Sequence, residues 1–480
     1  MTTLSAERRG ATESDPLLSN IHHSNISHNT NDNDSKWWCW FVLFAFSLLS
    51  FSSALMWDTF APCLYIFADY YFDGQVTTAT INAINAMSLI YMLIYPLAVQ
   101  PTLRFFEDKK DVPGSGLKRG ILIGAFLNML GGAIRWCGGA QDRYFVLLLG
   151  QTVAAVAQVF MLSIPPRLAG TWFPENQVNL STSIGVSSNN LGVAAGSIWA
   201  PLAIQAATMT KDIPRLLFWQ FLLCALALVL VYVSFSRRPG NHKTVSKNNG
   251  NTLTTTTTTA TLAATSSKIN AYDQAKVLWG HRSFFHMLFS YGVLNGGQCA
   301  LVTLIAQILL PSFQNQADEG YVGWIGFMML LAGIPASWMV GVYLDKTYQY
   351  RVTCNVLSIL GSLSVAGIYI AIEFQCLPAV TFNCIIFGLA SSAIIPAVFQ
   401  YASELYYPID ENIPAGYLCT ASNVSGVLLA AIMGWTENNR TEFTMRLPVL
   451  GLVLITFISN ISMFRVKGPL KRHLESSSSQ

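Results

Sequence analysis

In the apolar stretch FSSALMWDTFAP, residues 51 to 62, a tryptophan and an aspartate stand side by side as Trp57 and Asp58. An indole ring presents an electron-rich face that attracts a quaternary or protonated amine. A carboxylate inside an apolar span can counter a cation, titrate with a moving proton or pair with another helix. Neighbouring helical positions diverge by about 100°, so the two side chains cannot both point squarely at one ligand. Gln151 and Gln158 lie seven residues apart and share a helix face, and Tyr291, Asn295 and Gln298 follow one another at i, i+4 and i+7. Uncharged amides orient a hydroxyl or an amine without trapping it by full charge. They also serve as interhelical hydrogen bonds, worth ~0.6 kcal/mol on average in membranes. No Ser/His/Asp set, metal cluster or phosphate loop accompanies these groups, so they point to recognition of a small-molecule substrate and not to an enzyme.

The elements that must position them belong in a bilayer. Hydrophobic residues make up 52% of the 480 and charged ones only 11%, against roughly 25% charged in a soluble domain. A formal charge of +3 gives no argument for nucleic acid. Apolar segments centre on 38 to 66, 80 to 102, 119 to 138, 143 to 168, 181 to 205 and 214 to 236, and again on 283 to 311, 321 to 344, 350 to 373, 377 to 402, 414 to 435 and 446 to 466. Each is long enough to cross about 30 Å of hydrocarbon. The expected fold is therefore an all-α membrane protein of twelve transmembrane helices in two pseudo-symmetric six-helix halves, 37–236 and 283–466. Residues 1–36 hold no signal-peptide core and read as a disordered cytosolic tail. The threonine-rich, basic segment 237–282 reads as a disordered cytosolic loop, and 467–480 as a second cytosolic tail.

An internal repeat supports the two halves. WFP at 172 to 174 is followed by SNNLGV at 188 to 193, and YYP at 406 to 408 by SNVSGV at 422 to 427, at a constant offset of 234 residues. Lys and Arg concentrate on the side of the first tail, among them Arg104, Lys118, Arg237, Lys346, Arg351 and Lys467, which places both termini in the cytosol. Asn439 then falls in an outer loop as an Asn-x-Thr glycosylation acceptor. The nine cysteines show no CxxC pair or metal-ligand spacing and read as small core residues. No metal or cofactor is expected. Prolines such as Pro62, Pro165, Pro166, Pro335 and Pro396 fall in or at the ends of spans, where they favour kinks. In the first tail, Glu13, Leu17 and Leu18 fit an acidic dileucine pattern. A sorting adaptor is its implied partner, and the membrane is then either the plasma membrane or a lysosome- or vacuole-like one. Lipids are the remaining partners, and a monomer is expected.

The 6+6 arrangement, with GVYLDKTYQYR between spans 8 and 9, resembles the major facilitator superfamily, whose loops carry a Gly-x-x-x-Asp-Arg/Lys signature. Gly341, Asp345 and Lys346 fit it, which implies a gating role for Asp345 and Lys346. The first-half loop, LRFFEDKKDVPGSGLKR, keeps the charges without the glycine spacing. The blocks FSLLSFSSALMWDTFAP, GAFLNMLGGAIRW, GQTVAAVAQVFMLSIPPRLAGTWFPENQ and SNNLGVAAG further resemble the feline leukaemia virus subgroup C receptor-related family, solute carrier family 49. The resemblance implies a transporter working by alternating access, with choline, ethanolamine, haem or vitamin B6 as substrates of known members.

By the same resemblance, Trp57 matches a wall of the cation site, Gln158 a glutamine that contacts substrate, and Asn423 a second amide-bearing position. Cys299 stands where choline-transporting members place a tyrosine, so half of an aromatic cage is missing. Asn295 and Gln298 make that helix face polar, which suits a primary amine or hydroxylated ring better than a trimethylammonium group. Asp58 lies outside the family motif and stands as a coupling or counter-charge residue. Haem or pyridoxine transport remains as an alternative. All seven histidines lie in cytosolic segments or at a cytosolic span end, which lowers the haem reading. A non-transporting receptor or sensor is the other class, and outer loops of about a dozen residues or shorter leave it no folded recognition domain.

Overall fold

The computed structural model describes residues 16–75, 77–108, 114–205, 208–236, 271–313, 319–437 and 446–470. Glu13, Asn439 and the threonine-rich stretch 237–270 lie outside them. All described regular structure is helical. The first half consists of α1 (Pro16–Asp58), α2 (Leu64–Tyr71), α3 (Thr78–Phe105), α4 (Ser115–Cys137), α5 (Tyr144–Val159), α6 (Pro165–Trp172), α7 (Val178–Ala203) and α8 (Met209–Ser234). After the central segment come α9 (Ala271–Trp279), α10 (Arg282–Ser312), α11 (Glu319–Thr347), α12 (Tyr350–Glu373), α13 (Leu377–Leu405), α14 (Asn412–Glu437) and α15 (Arg446–Arg465).

Ten segments among the described residues are long and apolar enough to cross a membrane. The broken pair α5 and α6 and the serine- and asparagine-rich α7 complete the twelve. Lipid-facing surface is plain on α8, where Trp219, Leu222, Leu226, Val229 and Tyr232 are exposed at intervals of three or four residues. The multi-pass membrane architecture read from hydropathy stands.

Three elements differ from the sequence reading. α1 runs back to Pro16, so residues 16–36, expected to be disordered, are helical. A helix already nucleated by the apolar run from Trp37 extends into its polar flank, because elongation costs far less than nucleation. Spans 1 and 4 are each broken. α1 ends at Asp58 and a short 3₁₀ turn, Ala61–Cys63, carries Pro62 in its first turn. α5 ends at Val159, and a new helix begins at Pro165. In both places proline removes a backbone donor and disfavours helix in the residue before it. Asp58 is accordingly the last residue of α1, not a mid-helix acid. Finally, residues 271–279 of the segment read as a loop form α9, whose Ala275 and Leu278 are buried against the second half.

The two halves repeat the same packing. α1 pairs with α7 as α10 pairs with α14, and α4 packs on α5 and α8 as α12 packs on α13 and α15. The close approaches are made at glycine. A Cβ on Gly192 would lie 2.3 Å from the carbonyl oxygen of Phe51, and one on Gly296 would lie 2.7 Å from the nitrogen of Gly426. Across the seam α7 packs on α11 and α3 on α14.

Candidate functional site

Between the halves lies a cavity of about 120 Å³. From the first half it is lined by Ser50 and Trp57 of α1, Tyr91 of α3, Gln158 of α5 and Asn189 and Asn190 of α7. The second half contributes Tyr291, Asn295, Gln298 and Cys299 of α10, together with Ser422 and Asn423 of α14. All six side chains expected at a substrate site, Trp57, Gln158, Asn295, Gln298, Cys299 and Asn423, thus meet at one cavity. Among the described residues that line it there is no Asp, Glu, Lys, Arg or His.

The breaks in spans 1 and 4 set the geometry. Trp57 sits one residue before the end of α1, where its indole nitrogen donates to the carbonyl oxygen of Ser88 at 3.0 Å and fixes the ring plane. The ring is half-buried, packed in part against the apolar cluster of Ala54, Val193, Ala194 and Leu330. Gln158 occupies the last turn of α5, and its carbonyl accepts from the nitrogens of Met161 and Leu162 at 2.9 and 3.2 Å as the chain turns out of the helix. In the second half, Asn295 donates to Ser422 Oγ at 2.6 Å, and Asn423 Nδ2 donates to the carbonyl of Cys419 at 2.8 Å. Gln298 is 5% exposed, and its amide nitrogen has no partner among the described residues.

Two expected features resolve differently. Gln151, one face with Gln158, donates to the carbonyls of Met56 and Met87 at 3.4 and 3.1 Å and does not line the cavity. It is an interhelical tie. Asp58 is buried but turns away from the cavity wall, accepting a short hydrogen bond from Ser197 of α7. The divergence of adjacent helical positions separates it from Trp57.

Sequence reasoning missed Tyr91, Asn189, Asn190 and Ser422 as lining residues. The internal repeat carried the signal for two of them, since Asn189 is the counterpart of Asn423 and Ser188 that of Ser422 at the offset of 234.

The polar contacts across the seam gather at one end of the molecule, on the side of the central segment. Asp345, at the end of α11, accepts from the nitrogens of Asn179 and Leu180 at 3.0 Å each and from Asn179 Nδ2 at 2.7 Å. It thereby caps the first turn of α7, satisfying donors that a helix start leaves open. Lys346 is exposed. Arg167 of α6 pairs with Asp410 at 3.0 Å and with Asp108 at 3.4 Å, and Asp108 accepts from Gly116 N at 2.7 Å. Gln400 donates to Thr182 at 2.5 Å, and Gln100 donates to the hydroxyl of Tyr417. The sequence reading recognised Asp345 by its motif and passed over Arg167 and Asp410, which belong to none.

Residues 46–433 match the Major Facilitator Superfamily. The chain is 27% identical over 427 residues to an MFS-type transporter, C09D4.1, of Caenorhabditis elegans, covering 87% of this chain and 69% of that protein. It is 26% identical over 459 residues to the choline/ethanolamine transporter FLVCR1 of Mus musculus, covering 90% and 75%. With the choline/ethanolamine transporter FLVCR2 of Homo sapiens it shares 25% over 405 residues, covering 83% and 72%. Among solved structures, the proton:xylose symporter XylE superimposes with a TM-score of 0.71 at 10% identity, over 92% of this chain and 99% of that one. A bacterial homologue of the iron transporter ferroportin in an outward-facing state gives 0.63 at 10% identity, over 89% and 99%.

Proposed function

Since the chain belongs to the Major Facilitator Superfamily, we propose that it carries a small organic amine, of the choline and ethanolamine kind, across a membrane by alternating access of one central cavity. The observation that carries this reading is the cavity wall, in which a half-buried indole and a set of uncharged amides from both halves face one space that holds no formal charge. An aromatic face attracts a cation without the desolvation that a carboxylate would demand, and release at the far side stays easy. The names of relatives in mouse and human agree with this solute class. A cavity of about 120 Å³ is in keeping with a small solute.

In this reading Asp345, with the Arg167–Asp410 pair, forms the lock that closes the side of the central segment, and it must open once per cycle. Lys346 belongs to the same motif and contributes positive charge beside it. Asp58 acts on the break in span 1 through Ser197, as a coupling residue and not as a direct counter-charge. Both termini and the segment 237–270 face the cytosol, in keeping with the distribution of Lys and Arg. Glu13, Leu17 and Leu18 would then be available to a sorting adaptor that directs the chain to a lysosome- or vacuole-like membrane in place of the plasma membrane. The two halves enclose the cavity by themselves, so a monomer suffices. Uptake by purified protein in liposomes, screened over choline, ethanolamine, pyridoxine and haem, tests the reading. Saturable uptake of an amine is expected, and uptake confined to haem or pyridoxine would overturn it.

A further inference from the structure

We propose that Arg135, buried behind the wall of the cavity, sets how tightly the carrier holds a cation. Its fixed positive charge repels the solute from inside the first half and keeps binding weak enough for release. This rests on the amine reading and adds to it a specificity-determining residue outside the binding wall.

Arg135 stands in the last turn of α4, is 1% exposed and is among the largest fully buried side chains. A guanidinium stays protonated in a protein and offers five donors. Here Nε, Nη1 and Nη2 all lack a hydrogen-bond partner, and no carboxylate pairs with the group, among the described residues. An unpaired charge inside a span is costly, and such residues mark function by default. Two features offset part of the cost. The guanidinium carbon lies 5.0 Å from the centroid of the Phe60 ring, just beyond the end of α1. The C-terminus of its own helix supplies about half a negative charge. Neither cancels the whole charge. Asp58, the buried acid at the end of α1, is engaged elsewhere, with Ser197 of α7. Met56, two residues earlier, meets Cys224 and the α4 side at Gly132, so Asp58 points away from Arg135.

The groups that feel this charge are Tyr91 of α3, Tyr71 of α2 and Cys224 of α8. Of the three only Tyr91 lines the cavity, so one side chain separates the guanidinium from the solute. The space between is dry. Tyr91 is 2% exposed and clusters with Met56, Ala154, Ala155 and Cys224. Salt therefore screens the repulsion little. At an effective dielectric constant of about 20, two unit charges about 10 Å apart repel by enough to lower affinity roughly tenfold. A field of this kind acts on charge alone. It leaves an uncharged solute of the same shape untouched.

The test compares choline with its uncharged carbon isostere 3,3-dimethyl-1-butanol, in liposomes held without a membrane voltage. The apparent KM for choline uptake and the inhibition of that uptake by the isostere are measured for the unaltered chain, Arg135→Met and Arg135→Gln. Both substitutions remove the charge, and a buried ion replaced by a group of similar size is often tolerated. Each variant is expected to lower the choline KM about tenfold, while inhibition by the isostere does not strengthen. A residue that only shapes the pocket would move both solutes together. A choline KM that stays or rises in both variants, or an isostere that gains as much as choline, overturns the assignment while leaving amine transport in place. If neither variant folds, Arg135 is a structural cation and the proposal falls. An unaltered chain that takes up no amine overturns the amine reading itself, and the role of Arg135 falls with it.

Discussion

The wall of the cavity tests whether Trp57 is a ligand or a packing residue. If its ring holds the cation, Trp57→Ala should raise the apparent KM for an amine about tenfold, in line with ~1–2 kcal/mol for a desolvated pair, and Trp57→Phe should raise it less. Cys299 faces the same space and is half-buried. Cys299→Tyr supplies a second ring and should shift uptake toward choline relative to ethanolamine, since a trimethylammonium head has no strong donors. An unchanged ratio together with a silent Trp57→Ala would place the site elsewhere. Asp58 makes a separate case. Asn in its place can still accept from Ser197, so fold is preserved while the titratable group is lost. Uptake by Asp58→Asn, measured across a pH series, should vary less steeply than uptake by the parent, and superimposable profiles would leave Asp58 a structural acid. At this scale the family resemblance singled out Trp57, Gln158 and Asn423, and the three line one cavity. The sequence was unreadable where direction decides. Nothing in the order of letters tells that Gln151 ties α5 to the carbonyls of Met56 and Met87, or that Asp58 turns toward α7.

Among the elements, α9 was the one least visible beforehand. Nine residues beside a polar tract give a marginal helix by themselves, and α9 persists through packing that only the fold supplies. Its position carries a consequence. Gln274 accepts from the backbone nitrogen of Asp410 at 2.9 Å, and the ring of Trp279 meets that of Tyr417 edge-on with centroids 5.2 Å apart. Asp410 and Tyr417 are two of the residues through which the second half holds the first, by way of Arg167 and Gln100. α9 thus supports the residues that join the two halves at this end. Trp279→Ala should loosen them and favour the conformation open toward the central segment. A cysteine introduced at Ser183, buried beside Gly341 under the lock, reports this by faster labelling with an impermeant thiol reagent applied from that side. Equal labelling rates in the two backgrounds would remove α9 from the gate. The broken spans were half visible, because Pro62, Pro165 and Pro166 can be seen in the sequence while the decision between a kink and a full break depends on neighbouring helices.

At the scale of the whole molecule, two six-helix halves and their matching faces were largely legible, since hydropathy reports span length directly and the offset of 234 relates α7 to α14. Of the polar contacts that join the halves at one end only Asp345 was, through its motif, because Asn179, Arg167 and Asp410 are far apart in sequence and unremarkable in type. The same view of the molecule bears on energetics. With no Asp, Glu, Lys, Arg or His among the described residues lining the cavity, a monovalent cation bound there is not neutralised by the wall. When the halves rock around it, the solute's own charge is what moves through the membrane field. A potential of 100 mV does about 2.3 kcal/mol of work on one elementary charge, or about 50-fold in concentration. Liposomes polarised negative inside should therefore concentrate choline, and collapsing the voltage should bring the gradient back to parity. The empty wall would make the carrier a current source, its direction of net flux set by the voltage of whichever membrane holds it.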